Sequence, residues 1–126
     1  MPKTGKTGIL PYQDLKKLAE TGAIVADPPV EARQLQPASI DLRLGKKAYR
    51  LLSSFLPESP DTFGNQLNWV DAFQSDLVMY DMDISKGAIL EKGHVYLVPL
   101  LEQLRLPQDI RGRTNPKSST GRLDIF

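Results

Sequence analysis

The sequence predicts a mainly β protein, an antiparallel barrel or sandwich carrying one short N-terminal helix. Three observations predict it. Only one segment has strong helical periodicity, several short stretches alternate apolar and polar residues, and Gly and Pro punctuate them at close spacing. At 126 residues and with no composition break dividing it, the chain is read as one domain.

Residues 1–8, MPKTGKTG, read as a disordered tail. Gly5-Lys6-Thr7 ends like a phosphate-binding P-loop, but the first glycine of that motif would fall before Met1. Pro11–Thr21 predicts a helix: Pro suits the first turn, Leu15, Leu18 and Ala19 share one face, and Gly22 is a natural stop. Ser39–Leu44, SIDLRL, alternates with Ile40, Leu42 and Leu44 on one face and Ser39, Asp41 and Arg43 on the other. A turn at Gly45-Lys46 then predicts Lys47–Leu52 as the returning strand. Pro57–Phe63 reads as a loop. In Leu67–Ser75, Trp69 and Phe73 are spaced as on a helical turn, with a core role favoured over base stacking. Leu77–Ile84 alternates again. Ala88–Leu90 and His94–Leu101, joined by Glu91-Lys92-Gly93, predict a hairpin with Pro99 marking an edge or bulge. Ile110–Arg113 predicts a last short strand before the loop Thr114–Gly121.

Composition excludes several chemistries. Sixteen basic and fifteen acidic side chains leave a formal charge of +1, so no bulk field favours nucleic acid or a membrane surface. With no cysteine, disulfides, thiolate catalysis and Cys-ligated zinc are ruled out. A single histidine, His94, rules out His-pair zinc motifs and the zinc type of nucleotide deaminase. A lone histidine on a predicted strand reads as structural rather than catalytic. No apolar run approaches the roughly 18 residues of a spanning helix, and no secretory leader is evident, so a cytoplasmic location is expected.

The chemistry concentrates near the end. Arg111, Arg113, Lys117, Ser118, Ser119 and Arg122 put four cations and two hydroxyls within twelve residues, around N-P-K-S-S-T-G-R. Fixed cations, hydroxyl donors and approachable backbone N–H groups are what a polyphosphate needs. Taken alone, the cluster reads equally well as a solvated basic loop.

Read with the rest of the chain, this segment resembles the dCTP deaminase family of the dUTPase-like superfamily. The resemblance runs through ILPYQDLKKLAETGAI (Ile9–Ile24), QPASIDLRLG (Gln36–Gly45), ILEKGHVYLVPLLEQLRLP (Ile89–Pro107) and KSSTGR (Lys117–Arg122). It covers residues 9–126, while Ser53–Ser75 departs from typical members. It implies a distorted antiparallel β barrel of dUTPase-like type, assembled as a homotrimer or a duplicated-domain equivalent. It implies a hydrolase acting in deoxynucleotide metabolism that converts dCTP to dUTP and ammonia without zinc, with Mg2+ carried on the triphosphate. The other ligands implied are dUTP and, as the family's frequent feedback inhibitor, dTTP.

By resemblance, Lys117 falls on a phosphate-contacting cation that many members have as Arg. Ser118 falls on a hydroxyl that helps hold the attacking water, and Ser119 on one that binds phosphate. Thr120 and Gly121 fall on the backbone part of the loop, and Arg122 on the arginine beside water and pyrimidine. The resemblance implies Ser118 and Arg122 as the catalytic pair here. Arg111 and Arg113 match no family position. The family's general base, a glutamate, lies in a strand beyond Arg122, so residues 9–126 are expected to be the N-terminal part of a domain truncated before it, and inactive alone. Neither Glu91 nor Glu102 takes its place. The alternatives are a dUTP-hydrolysing or bifunctional deaminase and diphosphatase, or a non-catalytic nucleotide-binding module. The K-S-S-T-G-R spelling favours deaminases over simple dUTPases.

Overall fold

The computed structural model describes residues 7–52 and 78–125. The expected tail up to Lys6, the loop at Pro57–Phe63 and the turn around Trp69 lie outside the described residues. The chain divides into two compact units. The first combines residues up to Arg43 with those from Leu101 onward, and the second is Leu44–Leu100.

In the first unit, helix α1 (Tyr12–Glu20) forms where its apolar spacing predicts. The Pro11 carbonyl accepts from the N–H groups of Asp14 and Leu15 at 3.0 and 3.1 Å, which starts the helix without a side-chain cap. At the other end the Thr21 hydroxyl and N–H both donate to the Lys17 carbonyl, and Gly22 adopts φ +81°. That left-handed turn is one glycine enters without strain. Leu15 and Leu18 are buried with Ile24, and Leu10, Val30, Leu35, Ile40, Leu106 and Ile110 close around them. Strand β1 (Ile24–Ala26) continues from the helix and pairs antiparallel with β5 (Glu102–Leu104), Ile24 opposite Leu104 and Ala26 opposite Glu102.

In the second unit, β2 (Lys47–Leu51) lies between β3 (Val78–Asp83) and β4 (Val95–Leu97), antiparallel to both. Ala48, Tyr49 and Leu51 are its buried residues, and the register shifts at Arg50/Leu51. Tyr80, Arg50 and Tyr96 form one row across the three strands. The Arg50 guanidinium sits over the Tyr80 ring, 5.8 Å from its centroid, and donates to Nδ1 of His94 at 2.6 Å. His94 is exposed, and its Nε2 also lies 3.4 Å from the Glu91 carboxylate.

The mainly antiparallel β character and the N-terminal helix are as expected, but four local expectations are corrected. Ser39–Leu44 is not a ladder strand and does not pair with β2. It makes only the isolated bridges Leu35–Ile40 and Leu44–Leu100. Its backbone groups are satisfied otherwise: Asp41 N–H donates to the Gln34 carbonyl, Arg43 N–H to the Glu102 carboxylate, and Arg43 C=O accepts from Leu101. Ala88–Leu90 forms no strand, so the expected hairpin is absent, and β4 pairs with β2 instead. The Glu91–Gly93 turn does form, with Gly93 at φ +82°. His94–Leu101 is not one strand, because Pro99 interrupts it after β4. Ile110–Arg113 is not a strand; Ile110 is used as an apolar plug against α1.

Gly45 marks a close approach. Its N–H donates to the Pro99 carbonyl at 2.7 Å, and a Cβ placed on it would lie 2.7 Å from that same oxygen. Both contacting atoms belong to backbone, so neither can swing aside. Gly45→Ala is therefore expected to destabilise the protein by about 1–3 kcal/mol, the range for overpacking, measured by chemical denaturation.

Candidate functional site

The segment after β5 carries no regular structure until a single helical turn, α2 (Ser118–Gly121). Lys117 precedes it in an extended conformation, φ −60° and ψ 145°, and its carbonyl accepts from the N–H groups of Thr120 and Gly121 at 2.9 and 2.8 Å. Arg122 N–H donates to the Ser118 carbonyl at 3.0 Å. This i to i+4 bond sets Ser118 and Arg122 on the same side of the turn. The expected open loop is thus wound at its end. Gly121 is helical and abuts Pro116, whose Cγ would lie 3.6 Å from an added Cβ.

The six site residues that the resemblance implies, Lys117, Ser118, Ser119, Thr120, Gly121 and Arg122, fall on this one turn and its flanks. Lys117, Ser118, Ser119 and Arg122 are exposed, while Thr120 and Gly121 are half-buried. Among the described residues the Arg122 guanidinium makes no ion pair. Lys117 does: its Nζ donates to Asp41 Oδ2 at 2.8 Å. Arg111 and Arg113 lie on the exposed approach to the turn.

Sequence reasoning did not find the support beneath Asp41. Glu102 points inward from β5 with its side chain fully buried. One carboxylate oxygen accepts from Arg43 Nε and from Gln34 Nε2, each at 2.8 Å, and the other from the Arg43 N–H at 2.8 Å. Burial pushes the Glu102 carboxyl up, but the Arg43 N–H and guanidinium and the Gln34 amide outweigh it and hold it below the usual carboxylate range. Gln34 spends its whole amide: Oε1 accepts from the Glu31 N–H, and Nε2 donates to both Glu102 and the Asp41 carbonyl, all at 2.8 Å. Arg43 also donates to the Pro28 carbonyl at 2.6 Å. Glu102 is therefore a structural carboxylate with no free face for proton transfer. The only sequence signal was polar residues, Asp41 and Arg43, alternating with apolar ones; partners 59 positions apart leave no local pattern.

A sign follows for pH. The folded-state value of Glu102 lies below its unfolded value, so its stabilisation is complete above the ordinary range near ~4.3 and is lost as pH falls through the folded value. The melting temperature of the wild type is expected to fall between about pH 5 and 3 more steeply than that of Glu102→Gln; equal slopes would contradict it.

Among the described residues, one exposed turn of this mainly antiparallel β protein thus carries two cations, Lys117 and Arg122, and two serine hydroxyls. The chain is a member of the 2'-deoxycytidine 5'-triphosphate deaminase N-terminal domain family, which matches residues 6–126. Among curated relatives, the "dCTP deaminase, dUMP-forming" of Methanosphaera stadtmanae is 34% identical over 93% of this chain and 56% of its own length. The protein of the same description from Dictyoglomus thermophilum is 32% identical over 94% of this chain and 58% of its own. The crystal structure of 2'-deoxycytidine 5'-triphosphate deaminase from Agrobacterium tumefaciens superposes with a TM-score of 0.80 at 44% identity, over 95% of this chain and 34% of that one. The chain thus spans somewhat over half the length of these curated relatives and a third of the structural one. Among the described residues, no helix is long and apolar enough to cross a membrane.

Proposed function

We propose that the protein acts in the hydrolytic deamination of dCTP, with Lys117–Arg122 as its nucleotide-contacting segment. Water adds its oxygen to C4 of the pyrimidine while one of its protons goes to N3, the other proton passes to the amino group, and the C4–N bond breaks to release ammonia, giving dUTP. The observation that carries this reading is the helical bond from the Arg122 N–H to the Ser118 carbonyl, which sets the two residues on one side of the turn. In the reading, Ser118 holds the attacking water and Arg122 stabilises charge developing beside it. Lys117, Ser119 and the backbone of Thr120 and Gly121 hold the triphosphate. The donor set consists of cations, hydroxyls and N–H groups, which fits phosphate oxygens and not a metal ion. Mg2+ would enter as part of the substrate, on the triphosphate itself. The resemblance implies a glutamate beyond Arg122 for proton transfer, and neither Glu102, fully engaged, nor Glu91, exposed beside His94, is given that part.

Zinc has no part in the proposal. In the intact protein, zinc-specific chelators are expected to leave turnover unchanged, while removing Mg2+ weakens use of dCTP; stoichiometric zinc whose removal abolishes activity would contradict this. The proposed setting, a cytoplasmic homotrimer or duplicated-domain equivalent with dTTP as feedback inhibitor, rests on the family.

A second reading is favoured by the names of the curated relatives, which are dUMP-forming. There the same site would also release pyrophosphate. Incubating the intact protein with dCTP separates the readings. Equal ammonia and dUTP support the first, and ammonia with dUMP and pyrophosphate the second. No ammonia contradicts both and leaves a nucleotide-binding module.

A further inference from the structure

Helix α2 is too short to hold itself. Four helical residues make few hydrogen bonds for the dihedral angles they fix, and no side chain caps the turn at Lys117. What closes it lies downstream. Asp124 is the one non-glycine residue with a positive φ, 55°, among the described residues. Around it the chain folds back on the helix: the Asp124 N–H donates to the Gly121 carbonyl at 3.0 Å, and the Ile125 N–H to the Thr120 carbonyl at 3.3 Å. This pair of reverse bonds ends many helices, commonly with glycine in the left-handed place. The Leu123 N–H adds a bond of 3.1 Å to the Thr120 carbonyl. Arg122 lies inside the closure, with its own N–H on the Ser118 carbonyl.

We propose that Asp124 is a positioning residue for the reaction: its left-handed backbone locks the end of α2 and so holds Arg122 on the side of Ser118. This rests on the nucleotide reading of Lys117–Arg122. Aspartate enters the left-handed region more readily than most residues, because its short polar side chain can bond locally. Glycine enters it freely, and a β-branched residue is nearly barred from it. With Asp124 extended, the Ile125 N–H could not return to the Thr120 carbonyl, and the closure would open. Arg122 would then swing away from Ser118, and only the wound fraction of molecules would be competent for dCTP. The role belongs to the backbone. The Asp124 carboxylate makes no ion pair among the described residues.

The test is steady-state deamination of dCTP by the intact protein carrying Asp124→Gly, Asp124→Asn, Asp124→Ala or Asp124→Val, each alone and with Arg122→Ala. Glycine and asparagine keep the left-handed backbone and are expected to stay within about twofold of wild type. Valine is expected to lower kcat/KM about five- to thirtyfold, the factor that matches the left-handed cost of one residue. Alanine, the milder change should valine fail to fold, is expected to fall between. In the Arg122→Ala background the valine and alanine changes are expected to cost less than about threefold more, because the side chain they would misplace is gone. A merely structural role would lower the melting temperature without that coupling. Three results, each with Arg122→Ala still impaired, would overturn this inference alone: valine and alanine at wild-type kcat/KM, an equal loss in both backgrounds, or glycine and asparagine as impaired as valine. Arg122→Ala turning over like wild type would overturn the segment's reading and this inference together.

Discussion

Arg122→Ala in the intact protein is expected to lower dCTP turnover by about 10²–10³-fold, the loss seen when one fixed donor to developing charge is removed. The pyrimidine gains electron density as water attacks C4, so a cation beside it matters more in the transition state than in the bound substrate. The loss therefore appears in kcat and kcat/KM together. Ser118→Ala is expected to behave the same way at smaller size, because a water without its hydroxyl partner is less often aligned. Lys117→Ala should instead raise KM with kcat nearly kept, since a phosphate clamp acts alike on ground and transition states. His94→Gln is the control. His94 faces Arg50 in the second unit, and glutamine retains an acceptor for that guanidinium, so turnover should match wild type. Steady-state kinetics on the four variants checks the set. An inactive His94→Gln beside unaffected Arg122→Ala and Ser118→Ala would refute the residue assignments.

The largest expected effect on stability belongs to Glu102 and Arg43. Removing either partner should cost about 3–5 kcal/mol, because the other is left as an uncompensated buried charge. The cost is set by burial: the Glu102 side chain has no exposure and that of Arg43 only 19%. Gln34 adds a second dependence, since its amide loses an acceptor when Glu102 is truncated. A double substitution to methionine should recover much of the loss, as apolar replacements of buried pairs do. Denaturant unfolding of Glu102→Ala, Arg43→Ala and the double methionine variant measures this. Single losses below about 1 kcal/mol would show that the pair is not desolvated.

These two expectations also mark how much was readable in the sequence. Helix α1 was legible because a full helical turn separates Leu15 from Leu18 and both ends carry stop signals. Strand β3 was legible because six residues suffice for alternation to show, and β2 as the chain returning from the Gly45-Lys46 turn. Strands β1 and β5 are three residues each and meet across some eighty positions, so neither declares itself locally. Ser39–Leu44 alternates as a strand would, but its N–H and C=O groups go to Glu102, Gln34 and Leu101 instead of to a ladder. The cationic turn was legible as composition, since its residues are neighbours in sequence. The counter-ion beneath it was not: Asp41 and Lys117 stand 76 positions apart, and only the fold brings them together.

Lys117–Arg122 is the segment proposed to meet the nucleotide, and a crystal structure of the intact protein with dCTP tests this most directly. Phosphate oxygens are expected on Lys117 Nζ, the Ser119 hydroxyl and the N–H groups of the α2 turn. The pyrimidine C4 is expected within one water of the Ser118 hydroxyl, with the Arg122 guanidinium alongside. A nucleotide bound elsewhere, with Lys117 still paired to Asp41 and Arg122 in solvent, would contradict it.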